Sequence, residues 1–342
     1  MTEAKQKRRI RMVIAGLILA LLLFVFLNLC LGSVMISPAS LPELLFGGKT
    51  NATDSRILWE LRLPRTLMAM ILGGALALSG LMLQIFFENP IAGPFVLGIS
   101  SGAKLVVALM LILSLKTGWT LSSFGMVGAA FLGSVLVVFF LLLISRKLPG
   151  GATLLVAGIM IGYICTAVTD LLINLAEDEN VVSLHNWSMG SFSGVRWEQV
   201  GIAAGIVFPL FVVALFLAKP MQAFFLGETV AGSLGVNIRR FRVILVSTAS
   251  LLAAAVTAFA GPVSFVGIAV PFLMRSLLNT EQTRITVPVT FMGGAVFCLL
   301  ADLLARCVLM PTELSISVIT SILGAPVVIL MLIRRRRGAH GR

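Results

Sequence analysis

Ten apolar stretches, separated by short polar connections, follow one another along the whole chain. Most approach the roughly 20 residues that an α-helix needs to cross the hydrocarbon core of a membrane. The pattern predicts an all-α membrane protein of about ten transmembrane helices in a single domain, residues 1–342. The predicted spans are residues 12–32, 64–84, 98–115, 122–144, 152–175, 199–218, 243–260, 265–278, 286–308 and 317–333.

The second span differs from a helix that faces lipid. It carries no charge from Leu67 to Leu83, yet small residues recur along it. Small residues let helices approach closely. The loop that follows is rich in proline and glycine, and non-helical backbone survives in a membrane only when it is buried in protein or lines a water-filled cavity. We therefore predict a central helix whose small face helps to line or shape a transport pathway, formed by Gly73, Ala77, Gly80 and Gln84.

Composition supports the membrane class and orients the chain. The 342 residues are 58% hydrophobic and 12% charged, which is typical of a polytopic membrane protein. The net charge of +12 does not indicate a nucleic-acid partner, because the basic residues form short clusters between apolar runs. Eighteen of the 26 Lys and Arg residues fall on the side of the termini, whereas Lys104 is predicted near the cytoplasmic end of the third span. The positive-inside rule then predicts that both termini are cytoplasmic, with tails at residues 1–11 and 334–342.

The sequence contains no pattern that indicates metal binding or nucleotide hydrolysis. The four cysteines, Cys30, Cys165, Cys298 and Cys307, lie scattered in apolar stretches, and two histidines do not make a metal cluster. A phosphate-binding GxxxxGK[ST] loop does not occur in the sequence. We therefore expect no metal and no cofactor in this chain.

Three arginines lie on the outer side, against the general charge bias. Arg62 and Arg65 flank Pro64 at the start of the second span, and Arg306 follows Asp302 by four residues near the outer end of the ninth. One interpretation is an Asp302–Arg306 pair within a helix, with the other two arginines reaching the membrane interface. The other is a basic ring that binds an acidic partner from outside through charge-assisted hydrogen bonds.

Two features of the inner side suggest partners. Residues 219–242 form the longest cytoplasmic connection, with glycine breaks at Gly227 and Gly235 and a basic end. They fit either an interfacial helix on anionic lipid or a docking element for a cytoplasmic protein. The small residues that open the fifth span, Gly151, Ala152 and Thr153, fit either an ordinary helix start or an inner gate formed with the same turn of a second subunit.

Two short sequences resemble each other within the chain. AGPFVLGIS (Ala92–Ser100) follows the second span, and AGPVSFVGIA (Ala260–Ala269) follows the seventh. The predicted topology puts the first inside and the second outside. Broken segments at matching places on opposite sides are what an inverted internal repeat produces.

Several motifs together resemble the permease family of ATP-driven importers for iron–siderophores, haem and vitamin B12. The similarity runs in collinear order from about residue 56 to 333. The motifs are RLPR (Arg62–Arg65), GGALALSG (Gly73–Gly80), Gln84, NPIAGPFVLGISSGA (Asn89–Ala103), GETVAGSLGV (Gly227–Val236), GPVSFVGIAVPFLMR (Gly261–Arg275), AD…AR (Ala301–Arg306) and LGAP (Leu323–Pro326).

The resemblance implies a location in the bacterial cytoplasmic membrane and an assembly as well as a fold. It implies two permease subunits side by side, two ATPase subunits that bind ATP and Mg, and a soluble binding protein that delivers substrate from outside. It implies that Arg62, Arg65 and Arg306 receive glutamates of that binding protein. It also implies that a short cytoplasmic segment sits in a groove of the ATPase, with contacts at Gly227, Glu228, Ala231, Leu234 and Gly235.

The predicted function is therefore the permease of an importer for iron–siderophore complexes, with haem or a corrinoid as alternative cargo. The partner permease is either identical or a paralogue. Two departures from the family pattern affect details: Phe272 replaces a usual histidine, and Leu314–Ser317 replaces a Pro-x-Gly pattern. A secondary transporter coupled to ions is a second possibility and would need an intramembrane carboxylate, Asp170 or Asp302. A membrane enzyme lacks a nucleophile–base pair or metal cluster.

Overall fold

The computed structural model describes residues 3–47, 52–117, 122–145, 151–174, 176, 178–310 and 312–339, and these contain helices and no strand. The helices, in chain order, are α1 (Glu3–Cys30), α2 (Leu41–Phe46), α3 (Ala52–Arg56), α4 (Leu63–Phe86), α5 (Ile99–Thr117), α6 (Ser123–Ser145), α7 (Gly151–Asn174), α8 (Asp178–Ser188), α9 (Trp197–Phe224), α10 (Glu228–Ser233), α11 (Ile238–Ala260), α12 (Val266–Leu278), α13 (Thr283–Cys307) and α14 (Ile316–Ala339). A π-helical segment, Ile57–Arg62, leads into α4, and a 3₁₀ turn, Pro94–Leu97, precedes α5.

Ten of these helices coincide with the ten predicted spans. Within the described residues, eight helical stretches are long and apolar enough to cross a membrane, and α5 and α12 add two shorter apolar helices. The prediction of an all-α membrane protein with about ten transmembrane helices is confirmed. We call the end of the bundle that carries α10 the inner end, and the end that carries α2, α3 and α8 the outer end.

Both predicted tails are largely helical continuations of spans. The first helix already begins at Glu3, so most of the 1–11 segment belongs to α1. The last helix continues to Ala339, six residues beyond the predicted end of the tenth span. The connection at 219–242 is likewise shorter than predicted, because α9 runs on to Phe224 and α11 begins at Ile238. Apolar content locates a membrane span, but it does not mark where a helix stops outside the membrane.

The central helix of the bundle is α4. It is buried along nearly all of its length and packs against α9, α11, α12 and α13. A Cβ atom on Gly73 would lie 2.5 Å from the carbonyl oxygen of Gly294 in α13, and one on Gly80 would lie 1.7 Å from that of Gly267 in α12. The small residues therefore allow direct backbone contact between helices, which confirms the central position of α4.

Two non-helical segments enter the bundle from opposite ends and meet inside it. The segment before α5 comes from the inner end and the segment before α12 from the outer end. The 3₁₀ turn before α5 touches the first turn of α12, where the Cβ position of Gly267 lies 3.0 Å from Pro94. A residue with left-handed backbone precedes each helix, Gly98 (φ +75°) and Phe265 (φ +63°). The two sequences that resemble each other thus break the bundle from opposite ends, as an inverted repeat requires.

Candidate functional site

At the outer end, Arg65 joins two acidic side chains. It lies in the first turn of α4, after Pro64. Its Nε donates to Asp302 Oδ1 at 3.0 Å, and its Nη1 donates to both carboxylate oxygens of Glu313 at 3.0 Å. The exposed fraction of the side chain is 11% for Arg65, 1% for Asp302 and 45% for Glu313. One carboxylate of the pair is therefore fixed in the protein interior, whereas the other stands at the surface.

Arg306 ties the last turns of α13 to α1. Its Nε lies 3.2 Å from Asp302 Oδ2, so the Asp302–Arg306 pair predicted from the spacing of four residues is confirmed. Its Nη2 also donates to the side-chain oxygen of Asn28, whose own amide donates to the carbonyl oxygen of Leu299. Asn28 is the one amide side chain in the otherwise apolar first span, and sequence reasoning did not recognise this signal.

The structure brings all three outer arginines together around one cavity. Arg62 is buried and donates to the carbonyl oxygens of Leu29 and Val34. A cavity of about 240 Å³ is lined by all three arginines together with Glu313 and Ser193. Their guanidinium groups bond mainly to groups of this chain and do not project into solvent. A role of these three arginines in binding a partner stays a prediction. Arg65 is the one whose bond to an exposed carboxylate, that of Glu313, can be exchanged for a bond to a partner.

The predicted pathway residues divide into two groups. Gly73, Ala77 and Gly80 are buried in helix packing and line neither the outer cavity nor the cavity beside Gln84. Gln84 lies at the inner end of α4, where its amide donates to the carbonyl oxygens of Gly267 and Ile268 at 3.3 Å and its oxygen accepts from Arg275. The small residues shape the bundle through packing, and a direct lining role stays a prediction.

Gln84 also borders an inner cavity of about 590 Å³. Arg275 and Phe272 line the same cavity, together with Glu88 and Glu281. Phe272 therefore puts an aromatic ring at the inner cavity wall, at the position where the family pattern has a histidine.

The predicted coupling residues form one short element at the inner end. Gly227 (φ +108°) and Gly235 (φ +87°) adopt backbone conformations that favour glycine, and they bound α10 on either side. Ala231 is buried beneath the helix, whereas Leu234 is exposed. Glu228 begins α10, and its Oε1 lies 3.3 Å from Arg242 Nη2. The exposed apolar side chains of this element are Leu226, Val230 and Leu234.

The predicted inner gate coincides with the first turn of α7. The helix begins at Gly151, where an added Cβ would lie 3.4 Å from the ring of Phe87. Ala152 and Thr153 are exposed. Gly150 and the basic pair Arg146 and Lys147, which directly precede this turn in the sequence, lie outside the described part of the chain. Small exposed side chains thus stand at the inner end of a span, as a close contact between subunits would require.

Comparisons with known proteins agree with this architecture. The model of the FecCD transport family matches residues 7–334. The vitamin B12 import system permease protein BtuC of Klebsiella pneumoniae is 35% identical over 333 residues, which cover 97% of this chain and 96% of the relative. The hemin transport system permease protein HmuU of Yersinia pestis is 34% identical over 327 residues, which cover 95% and 98%.

A solved structure shares the fold as well. It is described as an inward-facing conformation of a metal-chelate type ABC transporter, and it aligns with a TM-score of 0.83 at 26% identity over 95% of this chain and 99% of that chain. With the family match and the permeases above, this similarity extends over nearly the whole bundle, from α1 to α14. The chain therefore belongs to the FecCD transport family, as the multi-pass membrane permease of an ABC importer.

Proposed function

We propose that this permease carries iron–siderophore complexes into the cytoplasm. A binding protein outside the membrane delivers the chelate, and two separate ATPase subunits hydrolyse ATP with Mg to drive transport. A second permease subunit, identical or paralogous, completes the passage within the lipid bilayer. Both termini face the cytoplasm, because most of the basic residues lie on that side.

The observation that carries this proposal is the form of α10. The segment that contains the six-residue helix α10 turns at two glycines of positive φ, and it presents Leu226, Val230 and Leu234 at the inner end. Exposed apolar side chains on a short, anchored helix suit insertion into the groove of a partner protein. Ala231 packs α10 onto the bundle, so a movement of the ATPase can reach the spans through this element.

The outer end supports the delivery of cargo by a partner with carboxylates. Arg65 already holds an exposed carboxylate, Glu313, with both oxygens at 3.0 Å from Nη1. Arginine suits such contacts because its planar fork matches carboxylate geometry. Arg62 and Arg306 add positive charge beside it and help to attract an acidic partner.

The cargo is the part of the proposal with alternatives. The similar permeases are named for vitamin B12 and hemin, at nearly equal identity, so haem and a corrinoid stand beside an iron–siderophore complex as bulky metal chelates.

An ion-coupled secondary transporter is less well supported. Asp302 is held between Arg65 and Arg306, and a carboxylate fixed in this way is poorly suited to bind and release a coupling ion.

The decisive experiment is transport by the reconstituted complex. The permease is co-purified with its ATPase and binding protein, placed in proteoliposomes and supplied with a ferric siderophore, hemin or cobalamin. We expect ATP-driven uptake of the ferric siderophore and none when ATP is replaced by a non-hydrolysable analogue. Uptake of hemin or cobalamin alone would select an alternative cargo. Uptake driven by an ion gradient without ATP would overturn the importer mechanism.

A further inference from the structure

Lys104 lies near the start of the third span, as predicted, but this start is inside the helical bundle and not at its inner end. Gly98, just before α5, packs against Gly158 and Gly162 of α7. Farther along α5, Gly102 contacts Gly133, which lies near the middle of α6. Lys104 is only two residues beyond that contact and is half-buried.

The ammonium group of Lys104 has no partner in the described part of the chain. None of the described carboxylates lies within 4.0 Å of it, and it makes no hydrogen bond there. A lysine that faces hydrocarbon at the centre of a membrane helix costs about 2.5–3.5 kcal/mol on insertion scales. Such a group therefore requires water or a mobile anion beside it.

The direction of the side chain follows from its neighbours on α5. Ser100 Oγ lies 3.4 Å from Thr257 Oγ1 of α11, and Ser101 Oγ lies 3.4 Å from Thr166 Oγ1 of α7. With 3.6 residues per turn, position 104 falls on the face between these two serines, one turn farther toward the outer end. The opposite face carries Leu109, which is exposed. The four hydroxyl groups thus form a polar track between α7 and α11, and Lys104 extends this track toward the outer end.

The outer side of this track is covered by α8. Leu184 of α8 lines a small cavity together with Ala108 and Leu111, one to two turns beyond Lys104 on α5. In the described residues α7 contacts α5, α6 and the 3₁₀ turn but has no substantial contact with α11. The polar track is therefore covered by α8 at its outer end, whereas Thr166, which borders the track, is exposed.

From this placement we infer that Lys104 lines the cargo passage and favours chelates that carry net negative charge. The inference rests on the proposed importer function and narrows its cargo. A ferric ion held by three catecholates is anionic, whereas one held by three hydroxamates is neutral. An uncompensated ammonium in a partly dehydrated passage attracts the first and is indifferent to the second. The serine and threonine hydroxyls below it offer hydrogen bonds to the cargo as it moves inward.

The first experiment tests the site without any cargo. In the complete complex, with the four native cysteines replaced by alanine, Ser101→Cys serves as the reporter next to Lys104. Its modification rate is measured with an anionic and a cationic methanethiosulfonate reagent, in the ATP-bound and nucleotide-free states. We expect the anionic reagent to be favoured, and the ratio of rates to fall about tenfold when Lys104→Met is added. Lys104→Arg should keep the ratio.

Lys7→Met is the matched control, because Lys7 is an exposed lysine near the start of α1. It removes the same charge far from the passage and should leave the ratio unchanged. The inference would be overturned if the thiol of Ser101→Cys reacted with neither reagent in either state, because water would then not reach the polar track. A ratio that does not respond to Lys104→Met would overturn it as well.

The second experiment uses the transport assay. For an anionic tris-catecholate chelate, we expect uptake to fall about tenfold in Lys104→Glu, with Lys104→Met intermediate and Lys104→Arg close to the original protein. The charge selection would be overturned if Lys104→Glu and the original protein took up the anionic chelate equally fast and also took up a neutral tris-hydroxamate chelate equally fast. If no chelate is transported by the unaltered complex, the proposed function fails instead, and the labelling experiment still decides the role of Lys104.

Discussion

At the scale of single residues, the outer cluster contains one fixed carboxylate and one exchangeable carboxylate. Asp302 is almost fully buried between Arg65 and Arg306, and removing one partner of such a buried pair typically costs about 3–5 kcal/mol. Glu313 is half-exposed, and a pair of that kind contributes only about 0–1 kcal/mol. An incoming carboxylate can therefore replace Glu313 on Arg65 but not Asp302.

We predict that Glu313→Gln strengthens docking of the binding protein. The change removes the internal competitor for Arg65 and leaves every arginine in position. The dissociation constant, measured in nanodiscs at two salt concentrations, should fall by up to about fivefold at low salt, because an exposed pair contributes at most about 1 kcal/mol, and less at high salt.

The control for this change is Glu198→Gln. Glu198 is also an exposed acid at the outer end, in the first turn of α9. Glu198→Gln removes the same negative charge and leaves the contacts of Arg65 unchanged. An equal gain in both variants would mean that the effect comes from net charge alone, and the exchange would be refuted. Charge reversal of Arg62, Arg65 or Arg306 is a weaker test, since each also removes hydrogen bonds within the chain.

The sequence predicted only part of this cluster. The Asp302–Arg306 pair followed from a spacing of four residues on one helix. The bond from Arg65 to Asp302 joins positions 237 residues apart, and one sequence carries no signal for such a contact. Asn28 and Glu313 were missed for the same reason, because their partners lie on other elements.

At the scale of helices, close packing depends on glycines at specific contacts. The spans were predicted well because apolar length decides whether a helix crosses a membrane. The starts of α5 and α12 fall within one residue of the predicted ones. That these starts lie inside the bundle was not predicted, because an extended apolar segment has the same hydropathy as a helical one. Only the proline and glycine content of the two similar sequences indicated broken helices there.

We predict that Gly80→Ala destabilises the protein strongly. Its Cβ would lie 1.7 Å from the carbonyl oxygen of Gly267, and backbone does not yield as a flexible side chain does. Overpacking in a core costs about 1–3 kcal/mol and often more. The midpoint of thermal unfolding in detergent should fall by several degrees.

Gly205→Ala provides the comparison for Gly80→Ala. Gly205 also lies within a helix, α9, but nothing stands within 4 Å of its Cβ position. Alanine there should keep or slightly raise the unfolding temperature, since alanine is the better helix former. Equal stability of the two variants would contradict the assigned contact between α4 and α12.

The short helix α10 carries the next prediction. Glu228→Arg replaces the acid that faces Arg242 with a like charge, at the surface proposed to bind the ATPase. We expect loss of the ATPase on co-purification, or ATP hydrolysis without transport, while the permease remains folded in the membrane. Glu43→Arg, an equal reversal at an exposed position of α2, should have neither effect. Normal assembly and coupled transport in Glu228→Arg would show that α10 is not the coupling element.

At the scale of the whole molecule, the two ends differ in chemistry and the passage needs a second subunit. The outer end presents charged groups around Arg65, and the inner end presents apolar side chains on and beside α10. Along α7, one side packs on α5 while Tyr163 and Ile164 are exposed. An exposed tyrosine near the middle of a span is unfavourable toward lipid, since such rings favour the interfaces. This side of α7 therefore suits a wall shared with another subunit.

The predicted inner gate is consistent with that arrangement and can be tested by crosslinking. Ala152 and Thr153 stand exposed at the inner end of α7, where small side chains let two subunits approach closely. We expect Ala152→Cys, in the cysteine-free complex and paired with a cysteine at the matching turn of the second permease, to crosslink in one nucleotide state and less in another. Phe216→Cys, on a strongly exposed position of α9, should not crosslink in any state. Equal or absent crosslinking at Ala152 in all states would leave the first turn of α7 as an ordinary helix start, and the gate would have to be sought elsewhere along the same exposed side of α7.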